Sequence, residues 1–100
     1  MKKDQQFHIV RADKAGVFLC RVQSVTGTDY KVTNFRRLYY WSGALDVSMV
    51  ASEGVTNPSG CKFSIQLGDS DVSTIHNVIE AHPVSEKALE ILNKVVAWKK

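Results

Sequence analysis

The stretch FHIVRADKAGVFLCRVQSV (residues 7–25) predicts two β-strands joined by a tight turn. Phe7–Ala12 is rich in β-branched and aromatic residues, and Asp-Lys-Ala-Gly at 13–16 favours a reversal of the chain. Residues 17–25 then alternate in polarity, as a half-buried strand does. The face that we expect to point toward the core carries Phe18, Cys20 and Val22.

A third predicted strand covers residues 30–40, after a turn at 26–29 that contains glycine and aspartate. One phase of its alternation holds Tyr30, Val32, Leu38 and Tyr40, and the other holds Phe35, Tyr39 and Trp41. The alternation is disrupted near Asn34, which predicts a bulge or a bend there. The first 40 residues therefore predict an antiparallel meander of three strands.

The second half of the chain contains a short helix, two further strands and a final helix. Asp46 is a good N-cap, and Gly54 is a typical stop after a helix of about two turns. We expect strands at residues 61–67, with Phe63, Ile65 and Leu67 inward, and at 72–81. The final helix is expected over residues 85–98. Its N-cap is Ser85, and its apolar stripe is Ala88, Leu89, Leu92, Val95 and Val96.

Together these elements predict an α+β fold. The sheet is mainly antiparallel with about five strands, one short helix is inserted, and a C-terminal amphipathic helix packs on the sheet. A chain of 100 residues with 44% hydrophobic residues is expected to form a single domain, residues 1–100.

The charges are unevenly distributed along the chain. Residues 1–41 carry eight Lys and Arg against three Asp (+5), residues 42–83 carry one Lys against five acids (−4), and residues 84–100 add +2. An anionic partner is therefore expected to meet the first third, and the alternative is that the oppositely charged faces attract each other across a dimer or within the fold. Two cysteines without a CxxC spacing, and no apolar run long enough to span a membrane, predict a soluble intracellular protein without a membrane partner.

No pattern in the sequence predicts catalysis, a metal site or a cofactor. The three histidines and two cysteines lack the spacings of zinc ligands. Ser42 stands in Trp-Ser-Gly, which lacks the first glycine of a nucleophile elbow. Asp69 and Asp71 lie in a Gly- and Ser-rich turn, where solvated capping is their usual role. The chain is therefore predicted not to be an enzyme.

The stretch NFRRLYYWSGALD (residues 34–46) is the predicted ligand-binding site. A guanidinium group suits a phosphate, and flat aromatic rings suit a nucleobase. We expect Arg36 or Arg37 to bind phosphate, and Tyr39, Tyr40 or Trp41 to stack on a base. Backbone N–H groups at Ser42 and Gly43 could hold an anion, although Asp46 would compete for them. The alternative is that Leu38, Tyr40 and Trp41 are core residues and the arginines neutralise nearby acids.

The segments RRLYYWSGALDVSMVASEGV, NPSGCKF and AWKK resemble a family of small uncharacterised proteins encoded by tailed phages and prophages. Members carry a similar Arg-x-x-Tyr-Trp-Ser-Gly-Ala segment, and the resemblance extends from about Gly16 onward. It implies a phage source and, with it, the host cytoplasm. In size, origin and site chemistry the chain is also similar in type to phage sponges. These are oligomers that bind cyclic nucleotide signals and keep them from host immune effectors.

The sequence therefore leads to the hypothesis of a phage-encoded, non-enzymatic homo-oligomer that sequesters a small anionic nucleotide. One alternative is an accessory protein that binds single-stranded nucleic acid along the same strand. The other is an inhibitor that binds a host protein through its exposed aromatic side chains. The last three residues, Trp98-Lys99-Lys100, either join a neighbouring subunit's site or fray.

Overall fold

The computed structural model describes residues 6–44 and 46–97 and has an α+β fold. Six strands and two helices lie in this part of the chain, so the predicted class is confirmed and the sheet has one strand more than expected. The elements are β1 (Phe7–Ala12), β2 (Gly16–Thr26), β3 (Asp29–Tyr40), α1 (Val47–Glu53), β4 (Lys62–Phe63), β5 (Ser73–Ile75), β6 (Val78–Pro83) and α2 (Glu86–Leu92). A 3₁₀ turn at Pro58–Gly60 precedes β4.

The sheet curls so that its two edges approach each other. The strands follow the order β4-β3-β2-β1-β6, with β5 pairing β3 beside β4, and all named strand pairs are antiparallel. β5 therefore lies on one edge and β6 on the other, although only His76 and Asn77 separate them in sequence. Such a short link spans about 10 Å at most. This curl brings the 76–77 link next to the β1–β2 turn, where the Asp13 N–H donates to Asn77 O at 3.0 Å.

A bulge in β3 confirms the irregularity predicted near Asn34. Leu19 lies opposite Arg36 and Arg21 lies opposite Thr33, so β3 contains one residue more than β2 across this interval. Asn34 takes up the extra residue with φ of +52°, a left-handed conformation that asparagine tolerates better than most residues. Because side chains alternate with a period of two, one inserted residue inverts the faces beyond it.

The inversion corrects the predicted phase of β3. Val32 and Leu38 were expected on the same face, but Val32 belongs to one core cluster and Leu38 to the other. Without the bulge, Arg36 would lie on the same face as Val32, and Arg37 would lie on the opposite face. The bulge reverses both positions. The position of both arginines therefore depends on a single backbone irregularity.

The sheet buries side chains on both faces. The first core cluster lies between the sheet and the helices; its centre includes Ile9, Leu19, Leu38, Val50, Phe63 and Leu92. The second cluster lies inside the curl of the sheet and includes Val10, Phe18, Cys20, Val22, Val32, Ile75 and Val78. The prediction that Phe18, Cys20 and Val22 point to a core is therefore confirmed, and the opposite face of β2 is buried at Leu19 as well. Leu19 is as fully buried as Cys20 because both faces of the sheet are covered.

The short helix is confirmed, whereas the C-terminal half of the chain is less regular than predicted. Asp46 caps α1 by accepting the Met49 N–H at 3.0 Å, and the helix ends at Gly54. The predicted strand at 61–67 is reduced to β4, and Ile65 is 62% exposed instead of inward, because the chain leaves the regular ladder after Phe63. The predicted strand at 72–81 is two strands, β5 and β6.

The C-terminal helix begins after Ser85 as predicted but ends at Leu92 instead of continuing to residue 98. Val95 is buried, whereas Val96 is 81% exposed and does not belong to the apolar stripe. The chain then returns to the sheet, where Ala97 forms a parallel bridge with Phe63. The prediction for residues 98–100 lies outside the described residues.

Candidate functional site

Arg36 is a buried arginine whose donors are used inside the protein. It is 5% exposed, and its Nε donates to Ser64 O at 2.7 Å. Its two terminal nitrogens donate to Leu92 O and Val95 O, the carbonyls at and just beyond the end of α2. Burial lowers the pKa of this guanidinium from its ordinary value. Arg36 therefore joins β3 to the C-terminal segment, and the prediction that it binds phosphate is not supported by its position.

Arg37 lies on the other face of the sheet and is only half-buried. Its Cζ lies 4.9 Å from the ring centroid of Phe18 and 5.8 Å from that of Phe35. Cation–π contacts of this kind hold a guanidinium group in place without neutralising it. Of the described residues only Ala15 accepts from its side chain, at 3.2 Å, so further N–H donors of Arg37 remain for a ligand.

Arg37 forms part of the wall of a surface recess of about 390 Å³. One side of the recess is the β1–β2 turn at residues 13–15, and the other is the segment 73–77 that includes β5 and the link to β6. Phe18 and Phe35 line it together with Arg37, and their ring centroids are 4.8 Å apart. The curl of the sheet creates this recess, since it brings together segments about 60 residues apart in sequence.

The recess carries charges of both signs that have no ion-pair partner among residues 6–44 and 46–97. Lys14 and Arg37 are cationic, and neither forms an ion pair with a carboxylate of the described residues. Asp13, at the start of the turn, likewise has no side-chain partner in residues 6–44 and 46–97. His76 differs, because its Nδ1 lies 3.1 Å from Asp29 Oδ1. With neutral histidine the lining carries one net positive charge.

The predicted aromatic residues lie at the end of β3, outside the lining of the recess. Tyr39 and Tyr40 are 56% and 55% exposed. Tyr39 occupies a second irregularity, since Leu38 lies opposite Phe63 and Tyr40 lies opposite Lys62. Trp41 is half-buried and packs against the first core cluster, in agreement with the core alternative for that residue. Two of the three rings are therefore largely solvent-exposed, and the third, Trp41, is only partly buried.

Ser42 and Gly43 fasten the end of β3 to the loop before β4. The Ser42 N–H donates to Cys61 Sγ at 3.3 Å, and Gly43 O accepts the Thr56 N–H at 3.3 Å. Gly43 has φ of +93°, and a Cβ there would lie 2.1 Å from Thr56 Oγ1. The Ser42 N–H is therefore already occupied, and Asp46 accepts the Met49 N–H in the first turn of α1, as the predicted competition by Asp46 requires.

The described residues show no cluster of side chains typical of a metal site. No three His, Cys, Asp or Glu side chains gather within residues 6–44 and 46–97 as a metal site requires. Burial raises the pKa of Cys20 to about 12, so its thiol stays protonated and unreactive at neutral pH.

Of the seven residues predicted to bind a ligand, only Arg37 lies in the recess. Sequence reasoning missed Asp13, Lys14 and Phe35 and the whole 73–77 side. The turn at 13–16 was recognised as a turn but not as part of a site, because its spatial neighbour is remote in sequence. Phe35 belongs to the stretch 34–46 that the sequence singled out. It lies two residues before Arg37, a spacing that places two side chains of a strand on the same face, and this spacing could have identified it.

Fold and site define a small α+β protein with a cation-bearing recess at the open end of a curled sheet. The chain belongs to the family described as domain of unknown function DUF6948, whose model matches residues 5–92. Neither a curated protein nor a solved structure matches the chain. In the described part of the chain, neither helix reaches the length and apolar character needed to cross a bilayer.

Proposed function

We propose that this protein is a non-enzymatic binding protein that sequesters a small anionic nucleotide in the recess beside Arg37. The proposal rests on the surroundings of the Arg37 guanidinium group. It is half-buried, held over two aromatic rings, free of any carboxylate of the described residues, and directed to a recess. An arginine placed in this way binds phosphate well, because little conformational entropy is lost when the ligand arrives.

The size of the recess restricts the proposal to one nucleotide unit per subunit. Ligand pockets commonly range from about 300 to 1,000 Å³, and a volume of about 390 Å³ lies near the lower limit. A cyclic di- or trinucleotide would need a second copy of the chain to cover its remaining part. For this reason the proposal includes a homo-oligomer, in which the exposed Tyr39 and Tyr40 are available for contacts between subunits.

The proposed source is a tailed phage or prophage, and the proposed location is the host cytoplasm. The support for both is the resemblance of the Arg37-to-Ala44 segment to phage-encoded proteins. In that setting the protein would inhibit anti-phage defence by withholding a nucleotide signal from a host effector. A sponge of this type needs tight binding and no catalytic group.

Isothermal titration calorimetry tests the proposal with a matched pair of variants. The panel contains cyclic di- and trinucleotides, ADP-ribose derivatives, mononucleotides and a short single-stranded oligonucleotide. We expect Arg37→Gln to weaken nucleotide binding about tenfold or more, since it removes a charge-assisted contact to phosphate. Arg11→Gln makes the same change of charge on β1, outside the recess, and is expected to bind like the wild type.

Three results would each contradict a different part of the proposal. If no nucleotide released or absorbed heat on titration, the proposed binding function would be contradicted. A steep fall in affinity with salt, in contrast to the shallow slope of one or two phosphate contacts, would indicate single-stranded nucleic acid as the ligand. A monomer of 11.2 kDa in gel filtration, with and without ligand, would remove the homo-oligomer.

A second candidate function is inhibition of a host protein. Tyr39, Tyr40 and Ile65 are each more than half exposed, on the end of β3 and on the segment that runs beside it. Exposed aromatic and aliphatic side chains are typical of interface anchors. In this case Tyr40→Ser would abolish the protection of phage in a plaque assay, whereas Arg37→Gln would leave it unchanged.

A further inference from the structure

The outer side of β6 is an edge of the sheet. β6 stands last in the strand order, and of the described strands only β1 pairs with it. The Val84 N–H donates to Phe7 O at 2.9 Å, and in an antiparallel ladder the backbone groups of every second residue point to the same neighbour. The N–H and C=O of His82 therefore point to β1. The N–H and C=O of Ala81, and the C=O of Pro83, point away from the sheet.

Most of this edge is open to another strand. The β2–β3 turn reaches only its first residue, where the Val78 N–H donates to Thr28 O at 3.0 Å. Beyond it, Ile79 is 60% exposed, and Pro83 is exposed as well. Proline within a sheet is typical of a position whose N–H would face away from the ladder, in agreement with an outward phase for Ala81 and Pro83. An edge with free backbone groups and an exposed apolar side chain is a template for strand pairing.

The side chains of this edge are complementary to a second copy of the same edge. Glu80 and His82 lie on one face of β6, with Glu80 Oε2 2.6 Å from His82 Nε2, and each is about one third exposed. An antiparallel pairing that sets Ala81 opposite Ala81 of a second copy also sets Glu80 opposite His82 and Ile79 opposite Pro83. The neighbouring registers that keep the outward groups paired set either Glu80 or His82 opposite itself. Like charges directly opposite each other destabilise a strand pair, so charge selects the first register.

We infer that two copies of this chain associate through β6, with Ala81 at the two-fold axis, so that one sheet continues through both subunits. Each Ala81 N–H donates to the Ala81 C=O of the other copy, and each Glu80 carboxylate meets the His82 ring of the other copy. The inference does not depend on nucleotide binding, and it assigns an interface to the proposed homo-oligomer. Because the free part of the edge is short, the buried area is small and the dimer is weak and reversible.

Sedimentation velocity tests this interface over protein concentrations from micromolar to millimolar. Ala81→Pro removes the outward N–H and leaves the hydrogen bonds between β1 and β6 intact. We expect it to raise the dissociation constant of the dimer about thirtyfold or more, because both hydrogen bonds across the axis lose their donor. Ala81→Ser is the matched control, since it keeps the N–H, and it should dimerise like the wild type.

A charge exchange tests the register and remains informative if Ala81→Pro unfolds. His82→Glu sets two carboxylates opposite each other on both sides of the axis, so we expect the dissociation constant to rise about tenfold. The double variant Glu80→His, His82→Glu again sets an acid opposite a histidine, and its dissociation constant should return to the wild-type value. Circular dichroism verifies that each variant is folded before its association is measured.

The outcomes separate the interface from the other proposals. A dimer of unchanged affinity in folded Ala81→Pro, or equal affinities in the single and double charge variants, would overturn the β6 interface and leave the homo-oligomer in place. A wild-type protein that stays monomeric at millimolar concentration would overturn both. Calorimetry with nucleotides is read independently, so a failure of nucleotide binding would contradict the proposed function and not this interface.

Discussion

Arg36 and Arg37 are adjacent in sequence, but their guanidinium groups lie against aromatic rings on opposite faces of the sheet. The Cζ of Arg36 is 5.0 Å from the ring centroid of Phe63, and the Cζ of Arg37 is 4.9 Å from that of Phe18. One group is sealed among backbone carbonyls, whereas the other remains half-exposed beside a recess. Two residues of the same type therefore have different roles, which mutagenesis can separate.

Arg36→Leu should lower the free energy of unfolding by about 3 kcal/mol, because it leaves buried carbonyls of Ser64, Leu92 and Val95 without their charged donor. Arg37→Leu loses one exposed hydrogen bond and its ring contacts, so we expect about 1 kcal/mol. Urea denaturation followed by circular dichroism measures both. Equal losses in the two variants would show that Arg36 does not hold the C-terminal segment.

Asn34→Val should destabilise the protein by about 2 kcal/mol, because a β-branched residue is strained at φ of +52°. The variant also loses the hydrogen bond from Asn34 Nδ2 to Asp69 Oδ1 at 2.8 Å. Asn34→Gly is the control, since it loses the same side chain but accepts the backbone conformation. Thermal or urea unfolding compares the two, and a valine variant as stable as the glycine variant would argue against the strained bulge.

Gly43→Ala is expected to cost about 2 kcal/mol or more, since the new Cβ would overlap Thr56 Oγ1 and the backbone N of Thr56. Gly27→Ala is matched for this experiment: its φ is also positive, at +61°, but no atom lies within 4 Å of the added Cβ. The control should therefore show only the conformational penalty, about 1 kcal/mol. Identical midpoints in urea would mean that the contact between Gly43 and Thr56 does not form.

Asp46→Ala should lower the melting temperature at pH 7 and much less at pH 2. Hydrogen bonds from the Ser48 hydroxyl and the Met49 N–H lower the pKa of the Asp46 carboxyl. A pKa that is lower in the folded state gives stability above the unfolded pKa of about 4, and this stability is lost as the pH falls through the folded pKa. The measurement is the difference in melting temperature between variant and wild type across that range.

Ser85→Ala provides the control for this pH dependence. Ser85 caps α2 with a hydroxyl group that does not titrate, and it accepts the Ala88 N–H at 3.0 Å. The melting temperature of Ser85→Ala should therefore stay below that of the wild type at low pH as well. If the loss of melting temperature in Asp46→Ala were also independent of pH, the charge of the carboxylate would contribute nothing to the cap.

The local elements were predictable because their signals are local. Phe7–Ala12, the capped helix after Asp46 and the start of α2 at Ser85 follow from alternation and capping, which depend on neighbours within four residues. The bulge near Asn34 was also visible as a break in alternation. The exchange of faces beyond the bulge was not predictable, because it depends on the register between β3 and β2.

The sequence alone determined the α+β class, the hairpin of the first two strands, the N-caps of both helices and the concentration of cationic and aromatic residues near Arg37. Tertiary structure decided that Arg36 is internal, that Arg37 meets the β1–β2 turn, and that residues 73–77 complete the recess. The physical reason is the range of the interactions. Capping and alternation act within a few residues, whereas the curl of the sheet joins distant segments through pairings that no short pattern encodes.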